Sequence, residues 1–390
     1  MERNKIVIYG GHVMEIKHFL SVLDDLGADF YTGIPDSLLN PLCDYIMSKY
    51  GICDKHIVAA NEGAAVGLAA GHYLATSKPA VVYMQNSGIG NAINPICSLL
   101  HKKVYAIPVI FIIGWRGEPG TKDEPQHVFQ GEVTLPILDC LEIPYVVISK
   151  ETEYKELMLH VELFRNHIEN GQAVAFVVKS GALQSSIKMK YDSNEKMSRE
   201  QILRLIMESS QSDDVFICTT GKLSREVFEI REQEGAGHGR DFLTVGSMGH
   251  SLMIALGVAL TKPKKRILCL DGDGAAIMHL GSMAVTGVHH PKNLVHVVIN
   301  NGAYESVGGM PVVSTHLKLF ETALTLGYRH SFHVRDEEEL LTILSKIIDF
   351  EGPIFIEIMS NLESRGNLSR PNVTPIHNKN EFMNFLSEGN

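Results

Sequence analysis

Residues 267–301 constrain the architecture of this chain more than any other stretch. Ile267-Leu268-Cys269-Leu270-Asp271-Gly272-Asp273-Gly274 is an apolar, strand-like run that ends in an acid, and Val295-His296-Val297-Val298-Ile299-Asn300-Asn301 is a second that ends in amides. The span between them suits a helix that returns the chain to an adjacent parallel strand. Such a unit sets Asp273 beside Asn300-Asn301 at the carboxyl edge of a sheet, where ligands bind in open α/β folds. Carboxylate and amide oxygens without thiols suit a hard cation such as Mg2+, which commonly arrives with a phosphate ester. A calcium loop fits poorly. Counted from Asp271, the sixth position is Ala276 where glycine is needed, and the twelfth is Ser282 where a bidentate glutamate is needed.

The chain has 390 residues, room for two domains of ordinary size. Its net charge of -10 argues against nucleic acid as a partner. Val104–Trp115, the longest apolar candidate, is too short to span a bilayer. The N-terminus, Met-Glu-Arg-Asn-Lys then Ile-Val-Ile-Tyr, lacks a secretory apolar region and a cleavage site. Cysteines 43, 53, 97, 140, 218 and 269 are scattered, mostly in apolar runs, and none forms Cys-x-x-Cys. They predict free, buried thiols and a cytoplasmic protein. Neither zinc-ligand spacing nor His-Glu-x-x-His occurs.

The patterning gives two α/β halves and no short-period repeat. In the first, 12–182, helical periodicity at Ile16, Phe19, Leu20, Leu23 and Leu26 precedes a short strand over 29–32. A helix rich in Ala and Gly follows over 61–75, packed close to a neighbour, then strands at 80–84, 109–113 and 173–178. Residues 183–197 are polar and read as a linker. In the second half, 198–385, Ser198 opens a helix with Gln201 as its capping-box partner. Strands are expected at 215–219, 266–270 and 294–299, and helices at 222–234, 250–260 and 278–289. Alternation of this kind implies mainly parallel sheets with both faces covered, hence two three-layer α/β/α domains.

Several loops at predicted strand ends carry polar side chains. Thr219-Thr220-Gly221-Lys222 can cradle a diphosphate, or serve only as a strand-to-helix turn. The helix after Gly274 offers backbone N–H groups and the positive end of its dipole to phosphates. Gln85-Asn86-Ser87-Gly88-Ile89-Gly90-Asn91 is not a dinucleotide fingerprint, because Ile93 replaces the final glycine and no ribose-binding acid follows. In the charged loop Gly114–His127, Arg116, Lys122 and His127 can bind a polyanion, with Arg suited to bidentate contact with a phosphonate or sulfonate.

Gly272-Asp273-Gly274 followed by Asn300-Asn301 resembles the fingerprint of the 2-oxoacid decarboxylases and acetolactate-synthase-like enzymes that use thiamine diphosphate (ThDP). Gly33-Ile34-Pro35-Asp36-Ser37, Asn61-Glu62-Gly63-Ala64-Ala65, Trp115-Arg116-Gly117 through His127, and Gly246-Ser247-Met248-Gly249-His250 look like the phosphonopyruvate decarboxylases of that family. The resemblance therefore covers nearly the whole chain. It implies a pyrimidine-binding domain over 12–182 and a diphosphate-binding domain over 198–385, without the middle domain that many members insert. It implies ThDP and Mg2+ as cofactors, with Asp273, Asn301 and the Ala303 carbonyl as metal ligands. Thr220, Gly221, Gly246, Ser247, Met248, Gly272, Asp273, Gly274, Ala275 and Asn301 would line the cofactor. Met248 would be the wedge under its bend, and the Gly246 carbonyl would meet the 4′-amino group.

Glu62 matches the glutamate that bonds N1′ of the pyrimidine, where a carboxyl proton relay activates the cofactor. Asp36, Ser37, Asn86, Ser87, Arg116, Lys122 and His127 would face the substrate. The implied reaction converts 3-phosphonopyruvate to phosphonoacetaldehyde and carbon dioxide, within phosphonate biosynthesis. Sulfopyruvate decarboxylation, acetolactate-type carboligation and a non-catalytic ThDP-binding subunit are the alternatives. The resemblance further implies a homodimer or larger assembly, with active sites at the subunit interface.

Overall fold

A computed structural model describes residues 13–387. The predicted start at residue 12 and the N-terminal stretch read for a secretory signal lie outside the described residues. The chain divides into two compact units, 1–190 with 306–308, and 191–305 with 309–390. The division falls inside the polar stretch 183–197. Leu183–Gln184, at the start of that stretch, pairs in parallel with Met14–Glu15.

The first unit contains six parallel strands, β1 (Tyr31–Gly33), β2 (His56–Val58), β3 (Ala80–Gln85), β4 (Val109–Gly114), β5 (Tyr145–Ile148) and β6 (Val174–Val178), in the order β2-β1-β3-β4-β6-β5. The second unit repeats that order with β7 (Val215–Cys218), β8 (Asp241–Leu243), β9 (Ile267–Gly272), β10 (Leu294–Asn300), β11 (His330–Val334) and β12 (Ile354–Met359), arranged β8-β7-β9-β10-β12-β11. Every residue of β4, β6, β7 and β10 is buried. These strands are apolar on both faces because both faces are covered. In each unit the chain steps outward from the first strand and then returns to its other side. This places a topological switch point between β1 and β3, and another between β7 and β9, where open α/β sheets bind ligands.

The helix predicted over 278–289 starts three residues late, and a separate short helix precedes it. One helix runs Asp273–Met278 and a second Gly281–His289, with His279 at φ -131 and ψ 53 between them. The first turn therefore begins directly at the strand end, and Asp273 is its first residue. At Ser198 only half of the capping box forms. Its hydroxyl accepts Gln201 N–H at 3.3 Å, while the Gln201 side chain turns to Glu337 at 2.9 Å. The Gln201 amide N–H donates to the Glu337 carboxylate, a charge-assisted bond that draws the side chain away from the cap. Three of the six cysteines, Cys53, Cys97 and Cys140, are exposed, contrary to the burial expected from their apolar neighbours, and all six are free thiols. Among the described residues no helix is long and apolar enough to cross a membrane.

Candidate active site

In the second unit, polar groups gather at the carboxyl ends of β7, β9 and β10. Asp273 follows β9 and is 3% exposed. Ser314 Oγ donates to its Oδ2 at 2.5 Å. Burial pushes its carboxyl up to about 6, against the lowering effect of Ser314 and of the N–H groups around it. A buried carboxylate of this kind gains from a nearby cation, which favours its charged form.

At the end of β10 the two asparagines diverge. Asn300 is buried, with its amide donating to Glu357 Oε1 at 2.7 Å and its oxygen accepting Gly302 N–H at 3.0 Å. Asn301 is half-buried, and its oxygen accepts the Ala303 N–H at 3.1 Å. An amide oxygen holds two lone pairs, so Asn301 retains acceptor capacity at the open end of the strand. Asn300 is spent on the core.

The donors for an anion lie next to these residues. Thr219 Oγ1 is buried and has no hydrogen-bond partner among the described residues. Such a group costs about 1–3 kcal/mol unless something binds it. Gly221, at φ +93, and Gly272 have nothing within 4 Å of the position a Cβ would take. Thr220 is half-buried. An orphaned hydroxyl, open glycines and the N-terminus of a helix fit a diphosphate with its cation. Thr219 belongs to the cradle expected from the sequence, but its spare hydroxyl only shows in three dimensions.

A Cβ placed on Gly274 would lie 3.4 Å from Met248 Cε and 3.3 Å from Tyr304 Cε1. Met248 is half-buried and Ala275 buried. Ser247 is exposed, with φ +53, and Gly246 half-buried. Cys269, Asp271 and His296 also meet, with ligand atoms within 4.8 Å of one another. All three are buried on the sheet, and burial pushes the Cys269 thiol well above its usual value. That disfavours the thiolate a metal requires.

In the first unit Glu62 is the first residue of helix Glu62–Thr76, capped by Asn61, whose oxygen accepts Ala64 N–H at 2.8 Å. Glu62 is 5% exposed, and its Oε2 accepts Asn91 Nδ2 at 2.8 Å. A Cβ on Gly88 would sit 2.3 Å from Glu62 Oε1. Gly88 has φ -71 and ψ -15, a conformation open to any residue, so its lack of a side chain serves the carboxylate and not the backbone. Gly88→Ala should therefore displace the Glu62 carboxylate. A loss of turnover of about 10-fold or more is expected, with a melting shift no larger than ~1–3 kcal/mol of overpacking predicts. Paired turnover and melting measurements check this.

The remaining loops of the first unit form one cluster. Asp36, after β1, is 2% exposed and accepts Gln85 Nε2 at 2.7 Å and Leu38 N–H at 3.0 Å. Burial pushes its carboxyl up in spite of these bonds. Arg116, after β4, is clamped by Asp123 through Nε at 2.8 Å and Nη2 at 2.6 Å, and its Nη1 reaches Ser37 Oγ at 3.5 Å. Ser87 Oγ donates to Gln85 Oε1 at 2.8 Å. Asn86 donates to the Arg116 carbonyl and to Thr134 Oγ1, both at 2.9 Å, and accepts Arg116 N–H at 3.2 Å, so its amide is used in building the loop. His127 is half-buried, and its imidazole is pushed down first by burial and then by Arg116. Lys122 is exposed at the loop tip. The patterning missed Gly88, Asn91, Asp123, Ser314 and Glu357, which lie far in sequence from the groups they touch or carry no motif.

Two family models match this chain, the N-terminal TPP binding domain of thiamine pyrophosphate enzymes at residues 16–138 and the C-terminal TPP binding domain at 220–358. The chain is similar to the phosphonopyruvate decarboxylase of Streptomyces viridochromogenes, 31% identical across 94% of this chain and 93% of that protein. It is equally similar to the phosphonopyruvate decarboxylase of Streptomyces hygroscopicus, 31% identical across 95% and 93%. The sulfopyruvate decarboxylase of Methanosarcina acetivorans is 25% identical across 91% of this chain and 92% of that protein.

Proposed function

The chain belongs to the thiamine pyrophosphate enzymes and, among them, to the phosphonopyruvate decarboxylase family, and from that premise we propose that its substrate is 3-phosphonopyruvate. It is a ThDP-dependent decarboxylase, a carboxy-lyase that uses Mg2+ with the diphosphate. The observation that carries the substrate is the identity of 31% over nearly the full length of two phosphonopyruvate decarboxylases, against 25% over a similar length of the Methanosarcina acetivorans sulfopyruvate decarboxylase.

In the reaction the bond between the carbonyl carbon and the carboxylate breaks, carbon dioxide leaves, and a proton is taken up at the former carbonyl carbon. ThDP, when bound, supplies the electron sink for the released pair. The protein binds, orients and moves protons. Asp273, Asn301 and the Ala303 carbonyl would hold the cation. The orphaned Thr219 hydroxyl, Thr220, Gly221 and the amides from Gly272 to Ala275 would receive the diphosphate, and Met248 beside Gly246 and Ser247 would support the rings. Glu62 would hold a proton on one carboxyl oxygen for the pyrimidine, while Asn91 orients the other oxygen. Arg116, fixed by Asp123, presents Nη1 and Ser37 to the anionic substrate, with His127 and Ser87 nearby. Asp36 and Asn86 shape the pocket, and Lys122 adds charge at its rim.

Arg116→Lys should raise the KM for phosphonopyruvate about 10-fold with a smaller effect on kcat, since an ammonium cannot keep the planar two-point clamp on Asp123. Steady-state kinetics of that variant decide. We further infer a homodimer or larger assembly. Helix Glu62–Thr76 leaves Gly67 and Gly71 open and Leu68 and Leu74 exposed, where the sequence suggested close packing. Helix Gly281–His289 exposes Val285 and Val288. Apolar faces of this kind mark protein interfaces. Free thiols support a reducing, cytoplasmic setting.

Assays with phosphonopyruvate, sulfopyruvate and pyruvate, each with ThDP and Mg2+, test the substrate. Preference for sulfopyruvate would overturn it. A carboligated product would indicate the synthase reading, and an inert purified chain would indicate a non-catalytic subunit.

A further inference from the structure

Lys222 stands beside two threonines and a glycine at a strand end, a setting that suggests a cation for phosphate. Its ammonium has other partners. Lys222 Nζ donates to Glu305 Oε1 at 2.8 Å and to Ser364 Oγ at 2.7 Å. Arg199 Nη1 donates to Glu305 Oε2, and Arg199 grips Glu226 through Nε at 2.6 Å and Nη2 at 2.8 Å. The side chains of Arg199, Glu226 and Glu305 are 11%, 2% and 12% exposed, and Lys222, at 34%, completes the two cations and two anions on the solvent side. Both Glu305 carboxylate oxygens are thus taken up by Arg199 and Lys222.

Glu305 follows Ala303 by two residues. Little slack lies between them. Gly302 and Ala303 donate their N–H groups to the side chains of Asn300 and Asn301, Gly302 has φ +68, and Ala303–Tyr304 pairs with Met310–Pro311. Glu305 thus directly follows a hydrogen-bonded turn that carries Asn301 and the Ala303 carbonyl. Lys222 follows Thr220 and Gly221 and begins helix Lys222–Glu234. The Glu305–Lys222 pair thus ties the turn bearing two of the three proposed cation ligands to the turn bearing the diphosphate donors.

We propose that Glu305 is a positioning residue, which sets the cation turn against the diphosphate turn through Lys222 and Arg199, and that Lys222 works in this strut and not as a phosphate ligand. The inference rests on the assignment of Mg2+ and ThDP to these turns. Outer partners of metal ligands typically contribute 10- to 100-fold to metal affinity, so Glu305→Gln should weaken Mg2+ binding at saturating ThDP by about that factor, and ThDP binding with it. With both cofactors saturating, kcat should stay within about 3-fold of native, which a general loss of structure would not allow.

Calorimetric titration of the full chain reads the affinities, and thermal melting confirms the fold. Lys222→Met should show the same loss, and the double variant should be no worse than either single one. Glu305→Asp should recover part of the affinity. Native affinities in folded Glu305→Gln would overturn the proposal. Additive losses in the double variant would place Lys222 on the phosphates and overturn it too. Should Glu305→Gln not fold, Lys222→Met decides alone, because that side chain is 34% exposed. Weaker ThDP binding with an unchanged Mg2+ requirement would then reject the strut. Asp273→Ala is the control. If it also keeps native affinity, the cation assignment itself fails; if only Glu305→Gln does, the strut alone falls.

Discussion

Glu62→Gln should bind ThDP and Mg2+ within a few-fold of the native affinity and turn over phosphonopyruvate about 10²- to 10⁴-fold more slowly, the range for loss of a positioned acid–base group. Glutamine matches glutamate in size, and its oxygen can still accept Asn91 Nδ2, which now bonds Oε2 at 2.8 Å. Its amide nitrogen fits the space that Gly88 leaves beside Oε1. What it lacks is a removable proton. The variant therefore separates holding the cofactor from activating it. Calorimetry with ThDP and Mg2+, together with a rate assay for phosphonoacetaldehyde, reads both. Full turnover would remove Glu62 from the mechanism, and loss of cofactor binding in step with turnover would make it a structural residue.

Asp273→Ala should abolish tight binding of Mg2+ and ThDP together. Outer partners of metal ligands are worth 10- to 100-fold in affinity, so removal of a charged ligand should cost at least about 100-fold. Alanine also strands Ser314 Oγ, which donates to Asp273 Oδ2 at 2.5 Å. Asp273→Asn separates the two effects, because the amide oxygen still accepts Ser314 while the charge is gone. If charge dominates, both variants lose cofactor alike. If the Ser314 bond dominates, Asp273→Asn retains most of it. Titration of Mg2+ at fixed ThDP, and of ThDP at fixed Mg2+, measures this. Unchanged affinity in Asp273→Ala would refute the metal assignment.

The places of Glu62 and Asp273, at the start of a helix and the end of an apolar strand, were legible in the sequence, while the roles proposed for them came from the family resemblance. The helix over 62–76 and strands β3, β4, β9 and β10 followed from local patterning alone. Lys222 shows what such reading cannot see. Its neighbours suggested a phosphate cradle, yet its ammonium bonds Glu305, 83 residues away. Asn86 looked free for substrate, but its amide is engaged with Arg116 and Thr134. The choice of Asn301 over Asn300 came from the family pattern. The structure adds a physical basis, since only Asn300 reaches Glu357 on the neighbouring strand β12.

Local patterning is enough to specify the parallel α/β class, the two halves and the polar residues at strand ends, because these depend on periodicity and turn chemistry within some ten to twenty residues. The strand order shared by both sheets and the pairings Glu62–Asn91, Asp273–Ser314 and Glu305–Lys222 arise only in three dimensions. Those partners lie 29 to 83 residues apart, and which of them meet depends on where each crossover returns the chain. No short stretch encodes that choice, since it is made by burying whole strands and helices against one another.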